Sequence, residues 1–297
     1  MAEQPSRQLR SIFHDPDYYA KSFRAYSNLS SRLHVLKSWI ENIFPMKVVE
    51  TLSANTASGS SSATLRMLGV GSGTGEADCD MISQLLPIFP KISNTVLEPA
   101  PEHIETYKRL VASRSFAGLE WDWRQQTLDE YNNDSAQTNR EKFHFISTIH
   151  SLYYADDAEK AVMNMYDMLQ DGGVMMIIVL ADDGGFGRLW RHFPMFSDDL
   201  QSHILSDTVK DILTTNGIKY DLVKQPSRVD VSCCFEEGNP DGVLVSDFLA
   251  HVINVRENAP ANVVGEFYEY LKGPDCSIQE GGRIMFNNSW DAILVRK

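Results

Sequence analysis

The stretch Leu65-Arg66-Met67-Leu68-Gly69-Val70-Gly71-Ser72-Gly73-Thr74-Gly75-Glu76 decides the fold. A short apolar run, strand-like in length and composition, enters three glycines at alternate positions. Beyond them Asp78 to Leu86 reads as a helix stopped by Pro87. A strand that meets a helix through glycines marks the carboxyl edge of an open sheet, where doubly wound folds bind ligands. Glycine there lets the backbone turn sharply and approach a ligand closely. The spacing lacks the third glycine, one place later, of a dinucleotide loop, and the Gly-Lys-Ser or Gly-Lys-Thr of a phosphate loop. A plain tight turn stays open as the bland reading of these glycines.

The alternation continues outward. Ile92 to Leu97 reads as a strand closed by Glu98-Pro99, Glu102 to Val111 as a helix, and Leu119 to Trp123 and Phe143 to Ile149 as strands. Ala158 to Leu169 reads as a helix ended by Asp171-Gly172-Gly173, and Val174 to Leu180 as an apolar strand covered on both faces. Ile218 to Val223 is a further strand, and Arg283 to Arg296 a final strand or hairpin. Upstream, Phe23, Tyr26, Leu33, Leu36, Ile40 and Ile43 recur at helical spacing, in one or two helices ending before Pro45. The expected class is α/β, a doubly wound and mostly parallel sheet preceded by a helical segment. The expected divisions are a helical cap over 1–52, a flexible low-complexity loop over 53–64, a core over 65–182, an insertion with further core elements over 183–282, and a C-terminal strand over 283–297.

Composition narrows the function. Lys and Arg total 27 against 40 Asp and Glu, a formal charge of -13. Such a surface repels phosphate backbones and anionic lipid, so neither a nucleic-acid partner nor a membrane partner is expected. The charge fits simple solubility, and it mildly favours cationic small molecules. Cys79, Cys233, Cys234 and Cys276 have neither zinc nor redox spacing, so free thiols and no metal are expected. The first residues show no secretory h-region and the longest apolar run is far too short for a bilayer, so the expected location is the cytoplasm. A monomer is the default expectation.

Glu98 follows Gly75 by 23 residues, at the end of the second strand. A carboxylate there can accept both hydroxyls of a ribose. Glycine loop, acid and strand order converge on a methyltransferase that uses S-adenosyl-L-methionine, whose adenosine carries no pyrophosphate. The chain then resembles the histamine N-methyltransferase family nearly end to end. The matching stretches are Ser11-Ile12-Phe13, Ser22-Phe23-Arg24, Val70 to Glu76, Glu98-Pro99, Leu152-Tyr153-Tyr154, Asp247-Phe248 and Phe286-Asn287-Asn288. Several lie outside the cofactor motifs that all class I methyltransferases share. The resemblance implies a Rossmann-like, seven-stranded sheet with the last strand antiparallel, and a small helical substrate-binding region built from the N-terminal helices and the insertion near 183–282. It implies a cofactor site of Gly71, Gly73, Gly75, Glu98, His103 and Ile149, with Thr127 and Leu128 beside the adenine. It implies a substrate pocket of Phe13, Tyr19, Phe23, Tyr153, Tyr154, Phe186, Trp190 and Phe248, rings suited to a flat or cationic acceptor.

Two departures bear on the acceptor. Arg32 stands where the family holds a glutamate expected to bind the substrate ammonium. His150 stands where the family holds a glutamine that positions the imidazole, while Asn288 is retained. His103 and Leu128 replace a glutamine and a serine of the family, and neither change removes the ribose acid. An arginine suits a carboxylate, so the expected acceptor is an imidazole or amine bearing one: histidine, a histidine dipeptide or another amino acid. Histamine itself is the alternative, and a non-catalytic module that binds S-adenosylmethionine is the alternative of another class. His150, with an ordinary pKa near 6.5, is the candidate proton acceptor, and Asn288 the group that orients the acceptor. The bland readings are a solvated Arg32 and a buried, backbone-bonded His150.

Overall fold

The computed structural model describes residues 9–56, 64–114, 116, 118–134, 142–196 and 203–297. Its strands are β1 (Leu65–Val70), β2 (Ile92–Leu97), β3 (Leu119–Arg124), β4 (Phe143–Ile149), β5 (Leu169–Leu180), β6 (Tyr220–Gln225), β7 (Arg228–Asp230), β8 (Ser277–Glu280), β9 (Arg283–Asn287) and β10 (Trp290–Arg296). Among the described residues, seven of them form one sheet in the order β3-β2-β1-β4-β5-β10-β6. The pairs β1–β2, β1–β4, β2–β3 and β4–β5 are parallel. The β10 edge runs the other way: Gly172 and Gly173 exchange hydrogen bonds with Lys297, while Ala181 bonds to Ser289. The expected doubly wound sheet with its antiparallel last strand is therefore present. Met67, Leu68, Phe145, Ile146 and Val174 to Val179 are fully buried, as continuous apolar strands covered on both faces should be.

The helices include α1 (Pro16–Leu29), α2 (Arg32–Asn42) and α3 (Glu50–Thr56) before β1, then α4 (Glu76–Leu85), α5 (Pro101–Arg114), α6 (Leu128–Asn133), α7 (Ala158–Met168), α8 (Gly185–His192), α9 (Ser206–Thr215) and α10 (Pro240–Ala250). Two compact units emerge. One comprises Met1–Leu33, Leu180–Leu205 and Lys224–Trp290; the other comprises His34–Val179, Ser206–Val223 and Asp291–Lys297. The second unit holds the glycine loop and most of the large sheet. The first holds α1, α8, α10 and an antiparallel three-stranded sheet in the order β7-β9-β8.

Four local expectations are corrected. Pro45 does not end the helical path, because a π-helical turn over Pro45–Val49 takes the proline at its first position and leads into α3. Burial of Phe44, Val48 and Leu52, each wholly inaccessible, outweighs the proline penalty. The loop expected over 53–64 begins later, since Ser53 to Thr56 are still helical and Asn55 Nδ2 donates to Gly172 O at 2.9 Å. Residues 57–63 of that loop lie outside the described residues. Gly172-Gly173 is not a helix stop: α7 ends at Met168, and the pair lies within β5, where the register against β4 shifts. Gly172 has φ +79, which places the unpaired step of the bulge at a residue without a β-carbon. Arg283 to Arg296 is neither one strand nor a hairpin, because β9 and β10 belong to different sheets. Between them Asn287 Oδ1 accepts from both the amide and the hydroxyl of Ser289, which turns the chain.

Candidate active site

In the second unit the glycine loop has the geometry its composition dictates. Gly71, Gly73 and Gly75 have φ of +63, +57 and +84, conformations that side-chain-bearing residues adopt only with strain. Gly71 also has no room for a side chain, since a β-carbon would stand 2.4 Å from Ser151 Cβ. Ser151 is fixed there by donating to Val70 O at 2.7 Å, with Thr148 Oγ1 also 2.7 Å away. A β-carbon on Gly75 would lie 2.1 Å from the Tyr107 ring, so this glycine serves the packing of α4 on α5. Gly73 differs: a β-carbon there would meet nothing within 4 Å.

Glu98 ends β2 almost fully buried. Its Oε2 accepts the Gly73 amide at 2.7 Å, its Oε1 accepts the Ala100 amide at 3.1 Å, and His103 Nδ1 lies 3.3 Å from Oε1. A carboxylate offers about four acceptor positions, so capacity for a ribose hydroxyl remains. Thr127 caps α6 in a capping box with Glu130, which places Leu128 in the first turn and leaves Gln126 just before it. The Gln126 Oε1 is buried without a hydrogen-bond partner, an acceptor suited to an exocyclic amino group. The open space over Gly73, the anchored carboxylate and this orphaned amide oxygen fit an adenosyl ligand. Below the loop Asp78 is buried and receives the Tyr107 hydroxyl at 3.2 Å; burial pushes its carboxyl up to about 6. Gln126 and Asp78 escaped the sequence reading, because nothing in their residue types marks them apart from surface amides and carboxylates.

His150 follows β4 with φ +52, and its amide donates to Ile178 O at 2.9 Å. Its Nδ1 is 3.0 Å from the Tyr153 hydroxyl, within the same unit. Tyr153 is buried and Tyr154 is exposed. Ile149, the last residue of β4, precedes them.

The first unit gathers the other expected residues. Asp15 caps α1 by accepting the Tyr18 amide, and Pro16 occupies the first helical position. Tyr19, Phe23 and Tyr26 then share one helix face. Tyr19 stacks near Phe23 at 6.0 Å and lies 5.3 Å from Phe13; Phe23 is 5.6 Å and Tyr26 4.5 Å from Phe248; Phe186 is 5.0 Å from Trp190. Phe248 is carried on α10, which Asn239 caps and Asp247 ties down. Asp247 accepts the Tyr18 hydroxyl at 2.5 Å and the amides of Asn254 and Val255, and burial pushes its carboxyl up to about 6. Asn288 is fully buried: Oδ1 accepts the Tyr26 hydroxyl at 2.7 Å and Nδ2 donates to Ser30 Oγ at 3.2 Å. Tyr26 is thus the link between Asn288 and the rings, a role that its place on the α1 face could have suggested. Burial holds its hydroxyl up to about 12.

Arg32 opens α2 with its guanidinium 5.4 Å from the Phe23 ring centre. Its Nε is buried without a hydrogen-bond partner. The residue as a whole is half-buried. Among the described residues no group of three or more His, Cys, Asp or Glu is placed to hold a metal ion, and no helix is long and apolar enough to cross a membrane.

A doubly wound sheet of this order, with a ligand-ready glycine loop and a ribose-type acid at adjacent strand ends, defines a class I methyltransferase that takes its methyl group from S-adenosylmethionine. Residues 39–223 match the family described as Methyltransferase domain. Histamine N-methyltransferase of Mus musculus is 30% identical over 97% of this chain and 97% of its own. That of Xenopus tropicalis is 31% identical over 97% and 98%, and carnosine N-methyltransferase 2 of Gallus gallus 33% identical over 93% and 86%. The YcgJ protein of Bacillus subtilis shares the fold at a TM-score of 0.51 and 14% identity, covering 84% of this chain and 98% of that one. The chain belongs to the methyltransferase-domain family, among the small-molecule N-methyltransferases that include the histamine and carnosine enzymes.

Proposed function

We propose that the protein methylates a nitrogen of a small imidazole or amine that carries a carboxylate: histidine, a histidine dipeptide such as carnosine, or another amino acid. The observation behind this reading is Arg32. Its Nε is buried, lacks a hydrogen-bond partner and belongs to a guanidinium beside the Phe23 ring. Guanidinium is the side-chain group best matched to a carboxylate in bidentate geometry. A histamine ammonium placed about 4 Å from it, at an effective dielectric of 20, would be repelled by about 4 kcal/mol. The name of the Gallus gallus relative agrees with an acceptor of this kind, and those of the histamine enzymes favour the simpler amine.

Bound S-adenosylmethionine supplies a methyl group made electrophilic by its sulfonium. In this reading Glu98 binds the ribose, Gly71 and Gly73 let the backbone approach the ligand, and Thr127, Leu128 and His103 border it. The rings of Phe13, Tyr19, Phe23, Phe186, Trp190 and Phe248 hold the flat or cationic part of the acceptor, and Asn288 orients it. Transfer needs an acceptor lone pair in line with the methyl carbon at about 3–3.5 Å, an alignment worth roughly 7–11 kcal/mol of barrier. The N–C bond forms as the S–C bond breaks, and a proton leaves the acceptor nitrogen or its ring partner. His150, its ring fixed by Tyr153, takes that proton.

The test compares kcat/KM for histamine, histidine and carnosine in the wild type and in Arg32→Glu. The wild type is expected to prefer an acid-bearing acceptor by about tenfold or more, and the variant to reverse the order. A wild type that prefers histamine by a wide margin would refute the role of Arg32.

A further inference from the structure

His251 takes no part in anything described so far. It closes α10 in the left-handed conformation, φ +56, where glycine or asparagine is usual. Its ring is nonetheless turned into the protein and only 5% exposed. It packs 4.9 Å from Trp190, 5.0 Å edge-on from Phe13 and 6.0 Å from Phe248, three of the rings assigned above to the acceptor. Its Nδ1 is buried with no hydrogen-bond partner. A residue that only had to fill this space would be apolar, and one that only had to cap the helix would be glycine or asparagine. Burial holds the imidazole's pKa down to about 3, with His203 adding to the effect, so the ring is neutral at physiological pH. A neutral imidazole donates from one nitrogen and accepts at the other. A buried lone pair without a partner is less costly than a buried N–H without one, which puts the proton on Nε2 and leaves Nδ1 as an acceptor.

We propose that His251 is a specificity-determining residue for the methyl acceptor, its Nδ1 receiving an N–H or O–H group of a small polar molecule seated against Phe13, Trp190 and Phe248. The inference rests on reading these rings as the acceptor site. Arg32 lies over Phe23, Phe23 beside Phe248, and Phe248 beside His251. One cluster thus offers a cation at one end and a neutral hydrogen-bond acceptor at the other. That pair suits a molecule with a carboxylate and a separate N–H, as amino acids and dipeptides have, better than a simple hydrophobic amine.

The experiment uses the full-length protein labelled with 15N-histidine and saturated with S-adenosylhomocysteine. The His251 ring signals are assigned by their loss in His251→Asn, and carnosine, histidine and histamine are titrated in turn. At least one probe is expected to shift the His251 Nδ1 signal. Kinetically, His251→Leu should raise KM for the best acceptor by about tenfold, the loss of one hydrogen bond, with kcat within about threefold and S-adenosylhomocysteine affinity unchanged. His251→Asn keeps a polar side chain that tolerates the left-handed backbone, and should stay within about threefold of wild type. A His251 signal that none of the three probes moves overturns the inference, as does an unchanged KM in His251→Leu. If that variant does not fold, the wild-type titration decides alone. Methyl transfer with an unmoved signal removes only His251, whereas a moved signal without methyl transfer to any probe leaves His251 as a ligand residue and sinks the proposed reaction.

Discussion

Replacing Glu98 by glutamine tests the cofactor site with almost no change of shape. The wild-type carboxylate receives a backbone amide on each oxygen, Gly73 at 2.7 Å and Ala100 at 3.1 Å. A glutamine has one oxygen and one NH2, so either orientation of its amide sets N–H against N–H. One backbone donor then loses its partner, a defect of about 1–3 kcal/mol when buried. The ribose hydroxyl in turn exchanges a charged acceptor for a neutral one or for a donor, and hydrogen bonds to charged groups are worth about 1.5–3 kcal/mol. The expected loss in cofactor affinity is therefore about 10- to 100-fold. Calorimetric titration with S-adenosylhomocysteine reads it directly. Thermal unfolding of the same samples separates the loop defect, which lowers stability, from the lost ligand contact, which does not. Binding within about twofold of wild type, in a variant that is folded, would remove Glu98 from the site and with it the proposed ribose contact.

Two further outcomes are expected. His150→Ala should lower kcat by about 100-fold while leaving S-adenosylhomocysteine affinity unchanged, since its proposed partner is the acceptor; equal losses in both would return it to a structural role beside Tyr153. His251 should also mark the acid limb of stability. It is held down to about 3 in the folded chain, mainly by burial, against about 6.5 when unfolded. The unfolded chain thus binds more protons as the pH falls, and this contribution to stability is lost from about pH 6.5 down to about 3, by up to about 1.4 kcal/mol per pH unit. Asp78 and Asp247, raised to about 6 by burial, act with the opposite sign between about pH 6 and 4. Urea unfolding of wild type and His251→Asn across that range isolates the histidine, and parallel curves for the two proteins would mean that it is not neutral when folded.

The large sheet was legible because its central strands, β1, β2 and β4, each carry a largely apolar run and a stop after it. Ile92–Leu97 and Phe143–Ile149 fall on the observed strands residue for residue, whereas Arg283 to Arg296 divides into β9 and β10, which join different sheets. The cofactor side was legible for a related reason. Positive φ at Gly71 and Gly73 is a local demand that few residues meet, and Glu98 is read from its place at the end of a strand. The misreadings share a cause as well. Pro45 and Gly172-Gly173 are strong local punctuation, yet burial of Phe44, Val48 and Leu52 carries the helix past the first, and the second is used for a bulge inside a strand. His251 was out of reach, since a histidine after an apolar helix reads as any cap residue until the ring is seen among Phe13, Trp190 and Phe248. Arg32 was legible as a residue type, but its place over the Phe23 ring and the absence of a partner for Nε were not.

This division between what sequence shows and what it hides follows how the two sets of residues are built. The residues proposed to hold the donor all lie in one unit, between Gly71 and Ile149, on strand ends, the turns after them and the first turns of α5 and α6. Their geometry is set by a chemical constant, since every methyltransferase of this class holds the same adenosyl group. The rings and Arg32 come from three separate segments, Met1–Leu33, Leu180–Leu205 and Lys224–Trp290, folded into the other unit. A substitution there, such as one at Arg32, alters charge at the proposed acceptor while leaving the residues that hydrogen-bond Glu98 and Gly73 unchanged. Selection on the acceptor can therefore act on α1, α2, α8 and α10 while the donor loop stays fixed. The consequence is asymmetric. Substitutions at Glu98 should depress methylation of every acceptor alike, through the donor, whereas those at Arg32 and His251 should reorder acceptors and leave donor affinity where it was.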